Sequence, residues 1–436
     1  VRALWYTRAI SIERDLCMTI SLKNKDKSLF CRSFSAPTPT ATAWRAIFYQ
    51  AYGMRSLALG EKFPLLENAP QQDRAGAHPS PDFRPRRRFF LAVLDDVAKT
   101  YAPLYEHLIL IACGDRYTEL LCTHKDALAD RFIVPYIDLE LKNRLENKED
   151  FYNICEEYGL DYPATVYLYK DSQPPFDLPF DYPIAVKASD SIEYVDLDFP
   201  GKKKSYKANS PAELEQIFHD IYGAGYTGTL IVQDFIPGDD ATMYVLNSYS
   251  DANGKVQAMC LGHCVLEDYT PSGIGNYNAI IQEAKQEVYD KYQAFLEAIG
   301  FVGFSNFDIK YDERDGRYKV FEINIRQGRS SFFTTVSGCN MACYLVRDRI
   351  ENKRTSAVHY HDNPALWLHV PKRLVLEYAP ERTLPQIRRL MNEQKCDCTL
   401  LYERDLTLYR RIMINRFYHQ QWQRYKDWFN KRSISD

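Results

Sequence analysis

The 436-residue chain has no continuous apolar run near the ~18 residues that a membrane span requires. Its first 30 residues hold no long apolar core of the kind an export signal needs. Strong charge of one sign is also missing: Lys plus Arg is 55, Asp plus Glu is 58, and the net charge is -3. A balance so near neutrality excludes a general polyanion binder, and nothing global asks for nucleic acid. There is no fixed-period repeat, no low-complexity tract, no GxSxG elbow, no P-loop and no HExxH motif. The eleven cysteines are odd in number and lie in a long chain without an export signal, which predicts reduced thiols in a cytoplasmic protein. What is present is ample core material. Apolar residues make up 45% and aromatic residues 14%, with 32 Tyr and 23 Phe, so the chain as a whole is globular rather than disordered. At ~150 residues per domain the length suggests two to four domains.

The N-terminal third reads as a small α/β unit. Ser33–Thr42 is a Pro/Thr/Ser/Ala loop, Ala43–Tyr52 is apolar at helical spacing, and Arg55–Leu59 suits a strand. Residues 61–88 are proline-rich and include four arginines between Arg84 and Arg88; they read as an exposed loop, with an anion patch as the sharper alternative. Helical spacing resumes over Phe89–Tyr101. The run LILIA before Cys113-Gly114-Asp115 looks like a short buried strand of a parallel sheet.

Helical pattern dominates residues 116–160 and is clearest over Asp150–Tyr158, stopped by Gly159. Strands are expected at Tyr182–Lys187 and Thr229–Gln233. Between them Ser210, Pro211 and Glu213 open a helix over Ser210–Tyr222. Thr242–Ser250 and Val256–Glu267 form a hairpin about Asp251–Gly254, and Gly303–Tyr311 and Tyr318–Ile325 form another. Helices are expected at Gln282–Ile299 and Asn340–Ile350, and a mainly helical cap over residues 363–436. Helices and antiparallel hairpins sharing one region predict an α+β fold.

The sharpest chemistry lies on the second hairpin. Glu322, Asn324 and Arg326 alternate with apolar residues, which would put them on one face with Asp308 across from it. Two carboxylates and an amide oxygen are hard ligands suited to magnesium shared with nucleotide phosphates, and Arg326 would hold a transferring phosphate. A solvated face of a half-exposed sheet looks the same in isolation. Lys187 ends an apolar strand, where a charge is costly unless it meets a cleft or partner. An edge lysine that reaches solvent is the alternative. Gly201–Lys204 places three lysines in a loop, Gln233–Asp240 is a strand-to-turn linker, and Thr270–Asn276 is a flexible turn with two glycines. Each is also an ordinary surface loop. Cys260, His263 and Cys264 do not suit zinc, because the cysteines and His263 point to opposite faces of a strand.

In their order along residues 100–350 these features resemble the ATP-grasp superfamily. The stretches CGDRYTELL, HKDALADRFIVPY, NKEDFY, VKASDSIEYVDLDFPGKKKSY, SGIGNYNAII and FEINIRQGRSSFFTTVSG are similar to its carboxylate–amine ligases, most of all to the D-aspartate ligases of peptidoglycan precursor synthesis. Phe34–Ala43, with Pro and Thr where a glycine-rich turn is usual, and residues 61–88 depart from that pattern, although Ala46–Leu59 resumes the expected helix and strand. The resemblance implies an N-terminal α/β pre-grasp domain over 1–125, ATP-grasp subdomains over 126–236 and 237–355 that clamp ATP, and a helical extension over 356–436. It implies Lys148, Lys187 and Lys204 at nucleotide phosphates, Gln233, Phe235 and Ile236 at adenine, and Asp239 or Asp240 at ribose. Asp308, Glu322 and Asn324 would hold Mg2+, with Arg326 and Lys187 catalytic. Ser272, Gly273, Asn276, Arg329 and Ser330 would bind the acid substrate. The reaction implied is ATP-dependent amide formation through an acyl phosphate. It would join D-aspartate to the lysine side chain of a UDP-linked muramyl pentapeptide, in the cytoplasm. A ligase for another amino acid or dipeptide, and an ATP-binding scaffold without catalysis, are the alternatives.

Overall fold

In the computed structural model, which describes residues 15–20, 47, 51, 57–60, 84–270, 273–401 and 408–434, three sheets carry the chain. The first is small. Strand β1 (Asp15–Ile20) lies between β2 (Leu57–Gly60) and β3 (Leu108–Ala112) and pairs antiparallel with both. The LILIA strand is therefore confirmed as fully buried, but its partner strand is antiparallel; its parallel contact is a single bridge from Ile109 to Ile133. Strand β1 had no signal in the sequence reading. The arginines at 84–88 are not a loop: they begin helix α1 (Arg84–Tyr101). Ser33–Thr42, most of Ala43–Tyr52 and residues 61–83 lie outside the described residues.

Helices α2 (Asp115–Thr123), α3 (Leu139–Glu146) and α4 (Lys148–Glu157) follow. Asp138 and Asn147 cap α3 and α4 by accepting backbone N–H groups, and Gly159 at φ +72° ends the α4 segment. Lys148 is the first residue of its helix, two positions before the clearest helical pattern at Asp150.

The second sheet has the order β4 (Thr165–Leu168), β7 (Leu230–Asp234), β5 (Ile184–Ala188), β6 (Tyr206–Ala208), all antiparallel. Helix α5 (Pro211–Gly223) covers one face, burying Leu214, Phe218 and Ile221 on Ile184, Val186, Leu230 and Val232. Ser210 caps it as expected, and Glu213 reaches back to the N–H of Asn209. Because side chains alternate along a strand, Lys187, Ile231 and Gln233 fall on the other face. That face is turned to the third sheet.

The third sheet has eight strands in the order β12 (Arg317–Asn324), β11 (Gly303–Asp312), β8 (Met243–Ser250), β9 (Val256–Glu267), β10 (Tyr277–Gln282), β14 (Leu366–Leu368) and β15 (Cys396–Cys398), with the two-residue β13 (His359–Tyr360) pairing β9. Both expected hairpins are present. Strands β8 and β9 are buried almost throughout because both faces are covered. Leu246, Met259 and Leu261 pack with helix α6 (Gln286–Ala298) and α4, while Val245, Ala258 and Cys260 pack with helix α7 (Met341–Arg349). The helix expected from Gln282 begins four residues later, since Tyr277–Gln282 is a strand. The C-terminal region is helical over Lys372–Tyr378, Leu384–Asn392 and α8 (Leu408–Trp428), and it also adds β14 and β15 to the large sheet. Among the described residues no helix is long and apolar enough to cross a membrane.

Candidate active site

The hairpin β11–β12 aligns the expected ligands directly. Asp308 is the register partner of Glu322, and Asn306 of Asn324. A bulge follows the Asp308–Glu322 pair: Ile309 pairs with Val320, so Phe321 has no register partner on β11. The carbonyl freed by the bulge is used across the cleft. Phe321 O accepts from Tyr152 Oη at 2.9 Å and from Lys148 Nζ at 3.4 Å, both on α4. Lys148 Nζ also sits 2.7 Å from Glu322 Oε2. From the second sheet Lys187 reaches the ring of Phe321, with Nζ 5.9 Å from the centroid. Lys148, Lys187, Asp308, Glu322 and Asn324 are therefore brought together between the two sheets.

The charges in this cleft are unbalanced. Lys148 beside Glu322 holds its carboxyl below the usual carboxylate range. Burial, then the Glu322 carboxylate, pushes Asp308 up to about 7. Burial, then Lys148, lowers Lys187 to about 7, with Lys204 acting in the same direction. Two facing carboxylates and three ammonium groups share the cleft, with Lys148 paired to Glu322. The set suits a hard divalent cation at the carboxylates and phosphates at the ammonium groups. Asn324 fits too: its amide nitrogen donates to Asn306 Oδ1 (3.1 Å) and Asp308 Oδ2 (3.4 Å), which turns its oxygen away from them. Among the described residues no three His, Cys, Asp or Glu side chains form a cluster. A cation here would thus rely on two carboxylates, an amide and ligand oxygens.

Tyr277 escaped the sequence reading. Its hydroxyl donates to Asp308 Oδ1 at 2.8 Å, and burial together with that carboxylate pushes it well above its ordinary value. It stays a donor. Its carbonyl accepts from Arg329 Nη2 at 2.9 Å, and the same nitrogen reaches Asn278 Oδ1 at 3.1 Å. Tyr277 thus ties the expected acid-binding residues to the carboxylate pair. Ser330 is buried. Gly273 and Asn276 lie in the turn before β10, where Asn276 Nδ2 donates to Gly273 O at 3.0 Å. A Cβ at Gly273 would stand 2.4 Å from Asp268 Cγ and from Thr270 Oγ1, so only glycine fits. Ser272 lies outside the described residues.

Arg326 lies beyond the end of its strand. Strand β12 ends at Asn324, so the alternation no longer governs residue 326. The guanidinium instead meets Asp115 at the start of α2, with Nε–Oδ1 2.5 Å and Nη2–Oδ2 3.0 Å. Nothing in the sequence pattern linked these two, which lie 211 positions apart.

At the linker after β7, Gln233 is buried with its amide donating to Thr165 Oγ1 at 2.9 Å, and Ile236 is buried. The ring of Phe235 carries Lys207 at 4.4 Å and Lys310 at 5.6 Å. Of the two aspartates, Asp240 is buried, accepting from Glu267 N (2.8 Å) and Tyr269 Oη (2.7 Å); Asp239 stays near the surface, paired with Arg382 at 2.5 Å. In the lysine loop Gly201 has φ +77° and Lys202 Nζ donates to Leu197 O. Lys204 is exposed, and its charge is felt at both Glu322 and Lys187. Cys260 and Cys264 pack in the apolar cluster under α7. His263 points the other way, to Ala241 O at 2.7 Å and Glu283 Oε2 at 3.0 Å.

No family model matches the chain. Among curated proteins it is 42% identical over 351 residues to a D-aspartate ligase of Enterococcus faecium (strain Aus0004), covering 78% of this chain and 83% of that one. Among solved structures it is similar to an L-amino acid ligase from Bacillus licheniformis (17% identity, 53% of each chain, TM-score 0.39), so it spans about half the length of that protein. It is also similar to a D-alanine–D-alanine ligase from Bacillus anthracis (15% identity, 56% of this chain and 79% of that one, TM-score 0.39).

Proposed function

We propose that this chain, which belongs to the D-aspartate ligase family of ATP-grasp carboxylate–amine ligases, joins D-aspartate to the lysine side chain of a UDP-linked muramyl pentapeptide. The chain is an ATP-dependent ligase that forms an amide bond. The observation that carries the reading of its site is the meeting of Asp308, Glu322 and Lys148 beneath Lys187.

In this reading a carboxylate oxygen of the acid attacks the γ-phosphorus of ATP, ADP leaves, and an acyl phosphate forms. The neutral amine then attacks the acyl carbon. Phosphate departs with the C–O bond electrons, and the nitrogen loses a proton to leave the amide. Lys148 and Lys187 bind the phosphates, and Arg326 holds the phosphoryl group in transfer, so the chain's contribution is positioning and electrostatic stabilisation. Asp308, Glu322 and Asn324 would hold Mg2+, which when bound neutralises phosphate charge. Ile236 and Phe235 flank adenine and Gln233 borders it. Asp239, the more exposed of its pair, faces ribose, while Asp240 keeps the turn in shape through Glu267 and Tyr269. The loop carrying Lys204 closes over the phosphates and keeps water from the acyl phosphate. Gly273, Asn276, Arg329 and Ser330 hold the acid. The free thiols and the need for ATP suit the cytoplasm.

The acyl-phosphate route makes an isotopic prediction. With D-aspartate labelled by 18O in its carboxylates and the precursor as acceptor, each released phosphate is expected to carry one 18O, read by mass spectrometry. Unlabelled phosphate accompanied by amide formation would contradict the route.

A further inference from the structure

We infer that Asp115, contributed by the N-terminal unit, is the positioning residue that orients Arg326 for phosphoryl transfer. The inference rests on the role proposed for Arg326 above and extends it to a group in a different part of the chain.

The contact is bidentate and side-on. Nε and Nη2 of Arg326 each meet a separate carboxylate oxygen, at 2.5 and 3.0 Å. Two parallel N–H···O contacts fix the guanidinium plane, which one contact would leave free to turn. Arg326 follows the last residue of β12 by two positions, and its Nη1 donates to Gln327 O at 3.4 Å. Asp115 is held firmly by comparison. It lies three residues beyond β3, whose five residues are all buried, and the end of that strand is pinned by Ala112 N donating to Tyr136 Oη at 2.7 Å. Asp115 is also the first residue of α2, where the backbone N–H groups and the helix dipole favour a carboxylate.

Stability does not explain the pair. Asp115 is 68% exposed while Arg326 is 15% exposed. An ion pair with one partner so open to solvent adds little to folding. Its physical effect is therefore directional. The negative partner is exposed and the cation it aims is largely buried, two residues past the strand that carries Glu322 and Asn324. The N-terminal unit, whose sequence departs most from the family pattern, thereby supplies one fixed point to the reacting centre.

The test is a double-mutant cycle on the full chain, read as kcat and KM for ATP with D-aspartate and the precursor. Asp115→Asn is expected to lower kcat by about 10- to 100-fold, the scale of a misplaced catalytic group. KM for ATP should stay within about twofold, because Lys148 and Lys187 are untouched. Asp115→Glu should recover part of the loss. In an Arg326→Lys background, Asp115→Asn should add almost nothing. A wild-type kcat for Asp115→Asn, or losses that multiply in the double variant, would overturn the inference. If Arg326→Lys itself turns over normally, the role proposed for Arg326 fails and this inference fails with it. A deficient Arg326→Lys beside a normal Asp115→Asn rejects the inference alone.

Discussion

Asp308→Asn and Glu322→Gln should each lower amide formation by at least about 10²- to 10³-fold, the scale of removing one preorganised electrostatic group, with the fold intact. Both changes are nearly isosteric. Neither side chain lies in an apolar core: Asp308 is met by Tyr277 and Asn324, and Glu322 by Lys148. The two variants should differ in one respect. Glu322→Gln removes the charge that balances Lys148 and Lys187, so ATP binding should strengthen or hold while turnover collapses. Asp308→Asn removes a carboxylate that burial holds well above its ordinary range, so it should raise ligand-free stability near neutrality. Circular dichroism and thermal unfolding check the fold, and coupled ADP release checks turnover. Normal turnover in both variants would sink the proposed metal site.

Lys187→Met should have the second-largest effect, and a paradoxical one. Turnover is expected to fall by about 10²-fold or more, since a cation at the transferring phosphate is lost. Yet the ligand-free protein should become more stable near neutrality. The folded lysine ionises near 7 rather than at its ordinary 10.5, lowered by burial first and then by Lys148. A cation whose folded value is depressed costs stability wherever the unfolded chain is protonated. That cost is complete below pH 7, shrinks as pH rises from 7 to 10.5, and is gone above it. Removing the charge should therefore raise stability by of order 2 kcal/mol at pH 6 and by little at pH 10.5. Denaturant titration at the two pH values reads this directly. Magnesium and ATP should stabilise the wild type far more than the variant, because only the wild type gains a phosphate for its buried ammonium. Equal stabilisation of both would contradict the assignment.

How much of this was legible in the sequence depended on the range of the interaction. The β11–β12 hairpin was legible because period-two alternation and the Asp312–Gly316 turn are local, and they placed Asp308 opposite Glu322. Helix α5 was legible through Ser210 and Pro211. Strand β10 was not: its six residues run from a glycine-rich turn into a helix that begins four residues on, and six residues are too few to show a period. Tyr277 was lost with it. Strands β14 and β15 have three residues each and are set by their neighbours, β14 pairing with the edge of β10 and β15 with β14. The bulge at Phe321 interrupts register without changing the apolar pattern, so its carbonyl contact with Tyr152 and Lys148 left no trace. Arg326 was placed by extending an alternation past the point where the strand stops. Its partner Asp115 comes from another unit of the chain, and no local signal encodes a contact over that separation.

The most direct test of the account is phosphate release from ATP and magnesium by the purified chain. The panel is D- and L-amino acids, each with and without a UDP-linked muramyl pentapeptide. The account predicts release only when D-aspartate and the precursor are both present, with a matching mass gain on the peptide. Release with a different acid or amine would contradict the proposed substrates, and no release with any pair despite clear ATP binding would contradict the proposed catalytic site itself.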